Sequence, residues 1–205
     1  MSYTNIRRIL NRNDRAAIVQ ILSLFRKVDS QAKRFRRLTG IHCPQMCGIC
    51  CFTQRIETTA LELLPLALDL WSRNEATLYL KKLYNTVHPG LCVFFNPDLS
   101  MSGNGRCGVY KLRPLICRLF GFFTVKDKHD NYVYGSCRII KQTYPADYQK
   151  AKELIEKGFH PSNMTDFMIR VVAMGSDLGR KMLPINVAAR VAIEKVGLYS
   201  CFAVK

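Results

Sequence analysis

The sequence lacks the apolar segments that would send a chain into or across a membrane. It opens with MSYTNIRRILNRNDRAAIVQ, where no uninterrupted apolar stretch follows the basic residues and no small-residue cleavage site is present. No later apolar run reaches the roughly 20 residues that a transmembrane helix needs. We therefore expect a cytoplasmic protein, whose cysteines stay reduced.

Recognised catalytic motifs are also missing. The sequence has no glycine-rich phosphate loop, no dinucleotide-binding fingerprint, no GxSxG and no HExxH. Its acidic residues are too scattered to indicate an acid/base pair. The sequence therefore gives no sign of a nucleotide-binding protein or of a common type of hydrolase. It leaves open an enzyme whose chemistry is carried by a bound metal cluster.

Acidic residues are scarce. The 15 Asp and Glu residues face 31 Lys and Arg residues, which gives a formal charge of +16. Residues 1–42 hold ten basic residues against only Asp14 and Asp29. This surplus favours an unidentified anionic partner, such as nucleic acid, a membrane surface or an acidic protein. The alternative is a solvated helix face with cations that balance thiolates.

Cysteine, by contrast, is abundant. The chain has nine cysteines, an odd number that cannot be paired completely within one chain. In a reducing compartment, clustered cysteines are more often metal ligands than disulfide partners. Four lie within the stretch CPQMCGICC and four more follow up to residue 137. The candidate metal ligands are therefore Cys43, Cys47, Cys50, Cys51, Cys92, Cys107, Cys117 and Cys137.

Outside the cysteine motifs, apolar residues recur at helical spacing. A basic amphipathic helix is predicted over residues 15–39, with Asp14 as its N-cap and Gly40 just past its end. Thr59 and Glu62 form a capping-box pattern. They open a second helix, ALELLPLALDLW, whose internal proline would kink it or shift its true start. A third helix is predicted from EATLYLKKLYNTV, with Asn74 as its cap, and further helices are predicted over residues 144–198.

The centre of the chain has a different composition. About residues 40–140 it is rich in Gly and Pro, with short β-like pieces, and FFTV and YVYG on either side of KDKHDN predict a hairpin. In the C-terminal part, Thr165 is placed to cap DFMIRVVAM, and Pro184 precedes INVAARVAIEKV. We therefore predict a mainly α fold. Residues 1–205 would form a single helical domain around a central cysteine-rich loop region with short strands.

Proline positions indicate how the thiols could meet. Pro44 would place Cys43 at a helix N-cap and bring the next three cysteines onto one face, near a helix end that favours thiolates. Neighbouring side chains on an α-helix diverge by about 100°. The adjacent Cys50 and Cys51 would then serve two metal centres, or one of them would not be a ligand. Pro114 likewise predicts a short helix that carries Cys117.

Two cysteine motifs, which follow each other in the chain, give the sequence a family resemblance. They are CPQMCGICC with GLC at residues 90–92, and CGVYKLRPLICRLF with GSC at residues 135–137. Over roughly residues 40–140 the sequence resembles the YkgJ-type cysteine-cluster proteins, also called the CxxCxxCC zinc- or iron-chelating domain. Three residues separate Cys43 from Cys47, where the family name implies two. The resemblance implies chelation of zinc or iron and implies no reaction, although some larger relatives are flagellin lysine methylases.

Other residues near the cysteines are secondary candidates. Arg113 and Arg118 are candidate cofactor-binding residues, because each could donate hydrogen bonds to cluster sulfurs; a surface or helix-end pair is the alternative. His42 and His88 could complete a mixed site or could be ordinary surface histidines. Other expected roles are a core position for Tyr110, an ordinary buried thiol for Cys201, and packing or screening from water for Phe94, Phe95, Phe120, Phe122 and Phe123.

The sequence thus predicts a metal-binding protein with clustered thiolates at one or two centres. We expect an iron–sulfur cluster in preference to zinc, because eight thiolates suit it well, although zinc also accepts sulfur ligands. One alternative is a cluster-dependent oxidoreductase or protein-modifying methylase. Another is a zinc-stabilised module that binds nucleic acid through the basic N-terminal helix, with an affinity that falls steeply as salt rises.

Overall fold

Helices make up most of the described chain. A computed structural model describes residues 10–52, 56–85, 90–98, 105–159 and 161–202, except for the side chains of residues 199–202. The predicted mainly α fold is confirmed. Within these ranges the α-helices are α1 Arg12–Thr39, α2 Ala60–Ser72, α3 Ala76–Tyr84, α4 Leu115–Leu119, α5 Arg138–Thr143, α6 Pro145–Glu156, α7 Met164–Ala173 and α8 Ile185–Phe202. None of them is long and apolar enough to cross a membrane.

The strands of the described residues are all short. Their bounds are β1 Glu57–Thr59, β2 Phe95–Asn96, β3 Arg106–Cys107, β4 Phe123–Lys126, β5 Tyr132–Gly135, β6 Ser162–Asn163 and β7 Met182–Pro184. β1 pairs with β7 and β2 with β3, both antiparallel, while β4 lies between antiparallel β5 and parallel β6. The predicted hairpin is confirmed, with Val125 opposite Val133.

Helix α1 matches its prediction except at its start. It begins at Arg12, and the side chain of Asn11 accepts a 2.7 Å hydrogen bond from the Asp14 N–H. The helix is therefore capped by Asn11 and not, as predicted from the sequence, by Asp14. Gly40 ends the helix with φ +85°, as its position predicted. The predicted basic face is exposed, at Arg26, Lys27, Lys33, Arg34 and Arg37.

Two other helix starts differ from expectation. α7 begins at Met164, and the Asn163 side chain, rather than Thr165, accepts a hydrogen bond from the first turn. Asn74 does not cap α3; it adopts φ +59° in the turn before that helix. Asparagine tolerates the left-handed region, so it serves as a turn residue here.

The chain groups into two compact units. The first unit comprises Met1–Leu22, Met46–Pro114 and Val171–Lys205, and the second comprises Ser23–Gln45 and Leu115–Arg170. The expectation of a single domain over residues 1–205 stays a prediction.

The core of the first unit forms where α2 packs on α8. The capping box predicted at the start of α2 is confirmed, since Thr59 Oγ1 accepts from the Glu62 N–H and the Glu62 carboxylate accepts from the Thr59 N–H. The helix continues through Pro65 to Ser72. Small residues on α8 leave room for the leucines of α2; the buried set is Leu61, Leu63, Leu64, Leu66, Leu68, Leu70, Ala188, Ala189 and Ala192.

The second unit has its own apolar core. Phe35 of α1 lies at its centre, with its ring edge-on to Tyr134 at 5.6 Å and stacked on Phe159 at 6.1 Å. Aromatic pairs at these separations add to the free energy gained by burying their surface. The buried residues that pack around Phe35 are Ala32, Ile41, Phe122, Ile140, Ala151 and Ile155.

Candidate metal centre

The first cysteine motif is not an α-helix. Residues 45–46 form a turn, and only Ile49–Phe52 form a short 3-10 helix. The expectation of a helix with Cys43 at its N-cap is therefore wrong. The physical reason is the backbone of Met46, whose φ of +55° interrupts any right-handed helix over this stretch.

Contacts between distant segments shape this loop. A Cβ atom on Gly48 would lie 2.4 Å from the ring of Phe95, so only glycine fits there. The Gly105 N–H donates to the Met46 carbonyl oxygen at 3.3 Å. These contacts fix the path of the loop that leads into Cys50 and Cys51.

Backbone hydrogen bonds bring three segments of the first unit together. The Cys92 N–H donates to the Cys51 carbonyl oxygen at 2.8 Å, and the Phe95 N–H donates to the Cys92 carbonyl oxygen at 2.9 Å. Phe95 in turn lies opposite Cys107 in the β2–β3 pair. The backbone therefore converges at these three cysteines, which come from positions up to 56 residues apart in the numbering.

The thiols of this group interact directly. Cys50 hydrogen-bonds to Cys51, and Cys51 hydrogen-bonds to Cys92. The thiols of the adjacent Cys50 and Cys51 therefore meet, although the two residues follow each other in the short 3-10 helix Ile49–Phe52. We call Cys50, Cys51, Cys92 and Cys107 the four-thiol group.

Burial and hydrogen bonds between thiols raise the pKa of three members of this group, which favours their protonated form. The pKa of Cys50 is raised, first by its hydrogen bond to Cys51 and then by burial. The bond from Cys50 lowers the pKa of Cys51, but the bond to Cys92 and burial outweigh it and raise that pKa to about 12. Burial also raises the pKa of Cys107. A metal ion must displace these protons, so its binding here is linked to pH.

Arg113 supplies the opposing charge. Its guanidinium acts to lower the pKa of both Cys50 and Cys107, which places it within electrostatic reach of the thiols. It also lies over the Tyr110 ring, 3.7 Å from the centroid. Tyr110 itself is 55% exposed, so its predicted core position is wrong. The hydrogen bonds predicted from Arg113 to a bound cluster stay a prediction.

Arg118 belongs to the second unit and has different neighbours. Its side chain is buried, its guanidinium pairs with the Asp29 carboxylate at 2.5 Å, and it lies 4.1 Å from the Phe25 ring centroid. These contacts favour the structural alternative, an ion pair. Its predicted role beside a cluster stays a prediction.

The remaining predicted ligands divide between the units. Cys47 lies in the first unit, half-buried beside Gly48, whereas Cys43, Cys117 and Cys137 lie in the second. The short helix predicted to carry Cys117 is confirmed as α4. All eight predicted ligands are free thiols, and none of them forms a disulfide. Among the residues that the structure describes, no group of three or more His, Cys, Asp or Glu side chains has the spacing that holds a metal ion. The ligand set therefore stays a prediction.

The secondary candidates have mixed outcomes. His42 packs on Tyr144 at 4.2 Å in the second unit, while His88 and the side chain of Cys201 lie outside the described residues. Phe94 is buried, and Phe95 meets Phe52 edge-on at 4.6 Å beside Gly48. The rest of the aromatic set belongs to the second unit: Phe120, Phe122 and Phe123.

Asn186 is a positioning residue that the sequence pattern did not reveal. From the first turn of α8, its side-chain carbonyl accepts from the Val93 N–H at 2.9 Å, and its amide donates to the Leu91 carbonyl oxygen at 2.8 Å. The two bonds hold the backbone on both sides of Cys92. No motif spacing links Asn186 to Cys92, so only the three-dimensional structure could find it.

Replacing Asn186 by alanine is expected to loosen the Cys92 segment. The loss of two partly buried hydrogen bonds should lower the free energy of unfolding by about 1–3 kcal/mol, as measured by urea denaturation. Asn186→Asp keeps the acceptor for Val93 and should lose less. Val187→Ala, at an exposed neighbouring position, is the control. Equal effects of Asn186→Ala and Val187→Ala would contradict the positioning role.

The donor set fits a thiophilic metal. Zinc and iron–sulfur clusters both take thiolate ligands, and clustered thiols drawn from separate segments can surround an ion that no single segment could enclose. The proximity of Arg113 would offset part of the negative charge that develops when the thiols lose their protons.

Comparison with known proteins agrees with this chemistry. The model of the CxxCxxCC family, described as a putative zinc- or iron-chelating domain, matches residues 42–145, a stretch that contains all eight predicted ligands. No curated protein and no solved structure matches the chain. The matched stretch covers half of the sequence and both cysteine motifs. The chain therefore belongs to the CxxCxxCC family of zinc- or iron-chelating domains.

Proposed function

We propose that this protein binds an iron–sulfur cluster, with the four-thiol group as its primary ligands. The observation that carries the proposal is the convergence of Cys51, Cys92 and Cys107 through backbone hydrogen bonds, with Cys50 hydrogen-bonded to Cys51. Buried cysteines normally occur singly in a core, where each behaves as a small apolar residue. Here four cysteines, two buried and two half-buried, lie in mutual contact or electrostatic reach, and metal ligation explains their grouping.

The all-sulfur composition favours iron–sulfur over other metals. The ring of His42 packs on Tyr144, and its Nδ1 lies 2.9 Å from the Gly40 carbonyl oxygen; neither contact involves a thiol. Four thiolates are the common ligand set of both [2Fe–2S] and [4Fe–4S] clusters. Zinc takes the same set, and it is the alternative occupant. A bound cluster would supply one-electron transfer.

The protein's own residues would then have three tasks. The four-thiol group would ligate through sulfur after losing its protons, and Arg113 would balance part of the resulting charge. Phe94 and Phe95 would limit the access of water from the β2 side, since one is buried and the other covers Gly48. Cys43, Cys47, Cys117 and Cys137 are proposed as further metal ligands.

Anaerobic purification followed by elemental analysis and ultraviolet–visible spectroscopy tests this function. We expect brown protein that contains iron and acid-labile sulfide in comparable amounts. Colourless protein with zinc in place of iron would overturn the iron–sulfur assignment but preserve metal chelation. Protein with neither metal, even after anaerobic reconstitution with iron and sulfide, would overturn the proposed function altogether.

A further inference from the structure

Five cations lie on one face of α1 within the second unit, and we call them the basic face. Successive side chains on an α-helix turn by about 100°, so these positions share an arc of about 120° and extend about 16 Å along the helix axis. All five are exposed: Arg26, Lys27, Lys33, Arg34 and Arg37. The basic face is therefore a continuous ridge of positive charge at the surface of this unit.

The charge of the basic face is not compensated locally. Within the described ranges, none of its five cations forms a salt bridge with a carboxylate. Asp29, the only acid between residues 23 and 39, is paired with the buried Arg118, and Asp147 lies against Gly40, past the end of the helix. The whole unit has 15 Lys and Arg residues against seven Asp and Glu residues, so its other charges do not cancel the field of the ridge.

The apolar face of this helix is not available to a lipid surface. Helices that bind membranes insert an apolar face below the headgroups. Here that face is buried, since Val28, Ala32 and Phe35 are at most 4% exposed. Leu38 is the one large apolar side chain exposed between residues 23 and 39, all of which the structure describes. The surface offered to a partner is therefore cationic and not amphipathic.

The residue types of the basic face favour a duplex backbone over other anionic polymers. Proteins that bind single strands supply aromatic rings on which the bases stack. Both aromatic residues of α1, Phe25 and Phe35, are at most 3% exposed. Protein interfaces are also enriched in aromatic residues and depleted of lysine, whereas two of the five cations here are lysines. Contacts to phosphate need only exposed Arg and Lys side chains, which this face supplies.

We propose that the basic face binds the phosphate backbone of a double-stranded nucleic acid. A duplex carries one negative charge for about every 1.7 Å of its axis, so a ridge of roughly 16 Å meets enough phosphates for all five cations. The guanidinium groups donate in pairs to phosphate oxygens, and the lysines add point charges. The basic face lies in the second unit and the four-thiol group in the first, so this inference does not rest on a bound metal.

Fluorescence anisotropy of the full chain with labelled duplexes of mixed sequence tests the proposal, with DNA and RNA as separate probes. We expect saturable binding of at least one duplex. The logarithm of its association constant should fall against the logarithm of the salt concentration with a slope of about −3 to −4.5, because each neutralised phosphate contributes about −0.9. Replacing both Lys33 and Arg37 by glutamine should weaken binding at least about tenfold at low salt and reduce the slope by about 2.

A second double variant, Lys128→Gln with Lys141→Gln, is the matched control. It loses the same charge from two exposed positions of this unit outside α1, and it should weaken binding less than about threefold. Glutamine has nearly the helix propensity of lysine and arginine, so the α1 variant should keep the wild-type unfolding midpoint in urea.

Three results would overturn the assignment. The first is the absence of saturable binding for both duplexes at low salt. The second is equal weakening by the two double variants, which would show general attraction to a chain of charge +16. The third is tighter binding to polyglutamate or to vesicles rich in phosphatidylserine than to either duplex, which would assign the basic face to a different partner.

Discussion

Replacing both Cys50 and Cys51 by serine is expected to remove the bound metal, with a fall of at least about tenfold in metal per chain. The two thiols are hydrogen-bonded to each other, and Cys51 also meets Cys92, so the double change removes half of the four-thiol group. Serine oxygen is a hard donor that iron–sulfur clusters and structural zinc disfavour. Elemental analysis of anaerobically purified protein, normalised to chain concentration, measures the effect.

Cys201→Ser is the matched control for this experiment. Cys201 lies outside residues 42–145, the stretch matched by the family model, and belongs to neither motif. Its replacement should leave the metal content at the wild-type level. Equal losses in the two variants, or full retention in the double variant, would refute the assignment of the four-thiol group as ligands.

Gly105→Ala is expected to be among the most destabilising single substitutions in the first unit. Gly105 has φ +128°, and a Cβ atom there would lie 2.4 Å from the Asn96 carbonyl oxygen and 2.8 Å from the Pro97 Cα. Both contacts are to backbone, which cannot rotate away. Conformational strain and overpacking together should lower the free energy of unfolding by roughly 2–5 kcal/mol in urea denaturation. Metal content should fall with it, because Gly105 leads directly into β3 and Cys107.

Gly175→Ala separates the two causes. Gly175 lies in the same unit with φ +74°, but a Cβ atom there would meet nothing within 4 Å. Gly175→Ala should therefore lower the free energy of unfolding by about 1 kcal/mol, which is the effect of the left-handed conformation alone. If Gly175→Ala destabilised the protein as much as Gly105→Ala, the close packing of backbone around Gly105 would have no special role.

Local signals made much of the fold predictable. The capping box of Thr59 and Glu62, the left-handed Gly40 after α1, and the hairpin around KDKHDN each depend on residues close together in the chain. Amphipathic helices are predictable for the same reason, because apolar residues three or four positions apart mark the face that packs on the core. The start of α1 was missed because Asn11 and Asp14 are both good caps, and only the structure shows which side chain accepts the bond.

Features that depend on distant contacts were not predictable. The stretch CPQMCGICC has a helix-like spacing of cysteines, but its loop conformation depends on Phe95 and Gly105, which lie far from it in the sequence. The convergence of Cys51, Cys92 and Cys107 follows from backbone bonds that no spacing rule encodes. The family resemblance predicted that these cysteines belong together. Spacing and helix propensity alone do not show which of the nine cysteines share a site.

The discontinuity of the first unit has a consequence for how the protein matures. Residues 46–114 leave the ribosome well before α8, which packs on α2 and carries Asn186, the residue that holds the Cys92 segment. During translation, the thiols of residues 46–114 therefore emerge before α8 and Asn186 are present to hold them in place. Metal insertion into the folded site therefore follows the synthesis of α8, and the emerging cysteines must stay reduced until then.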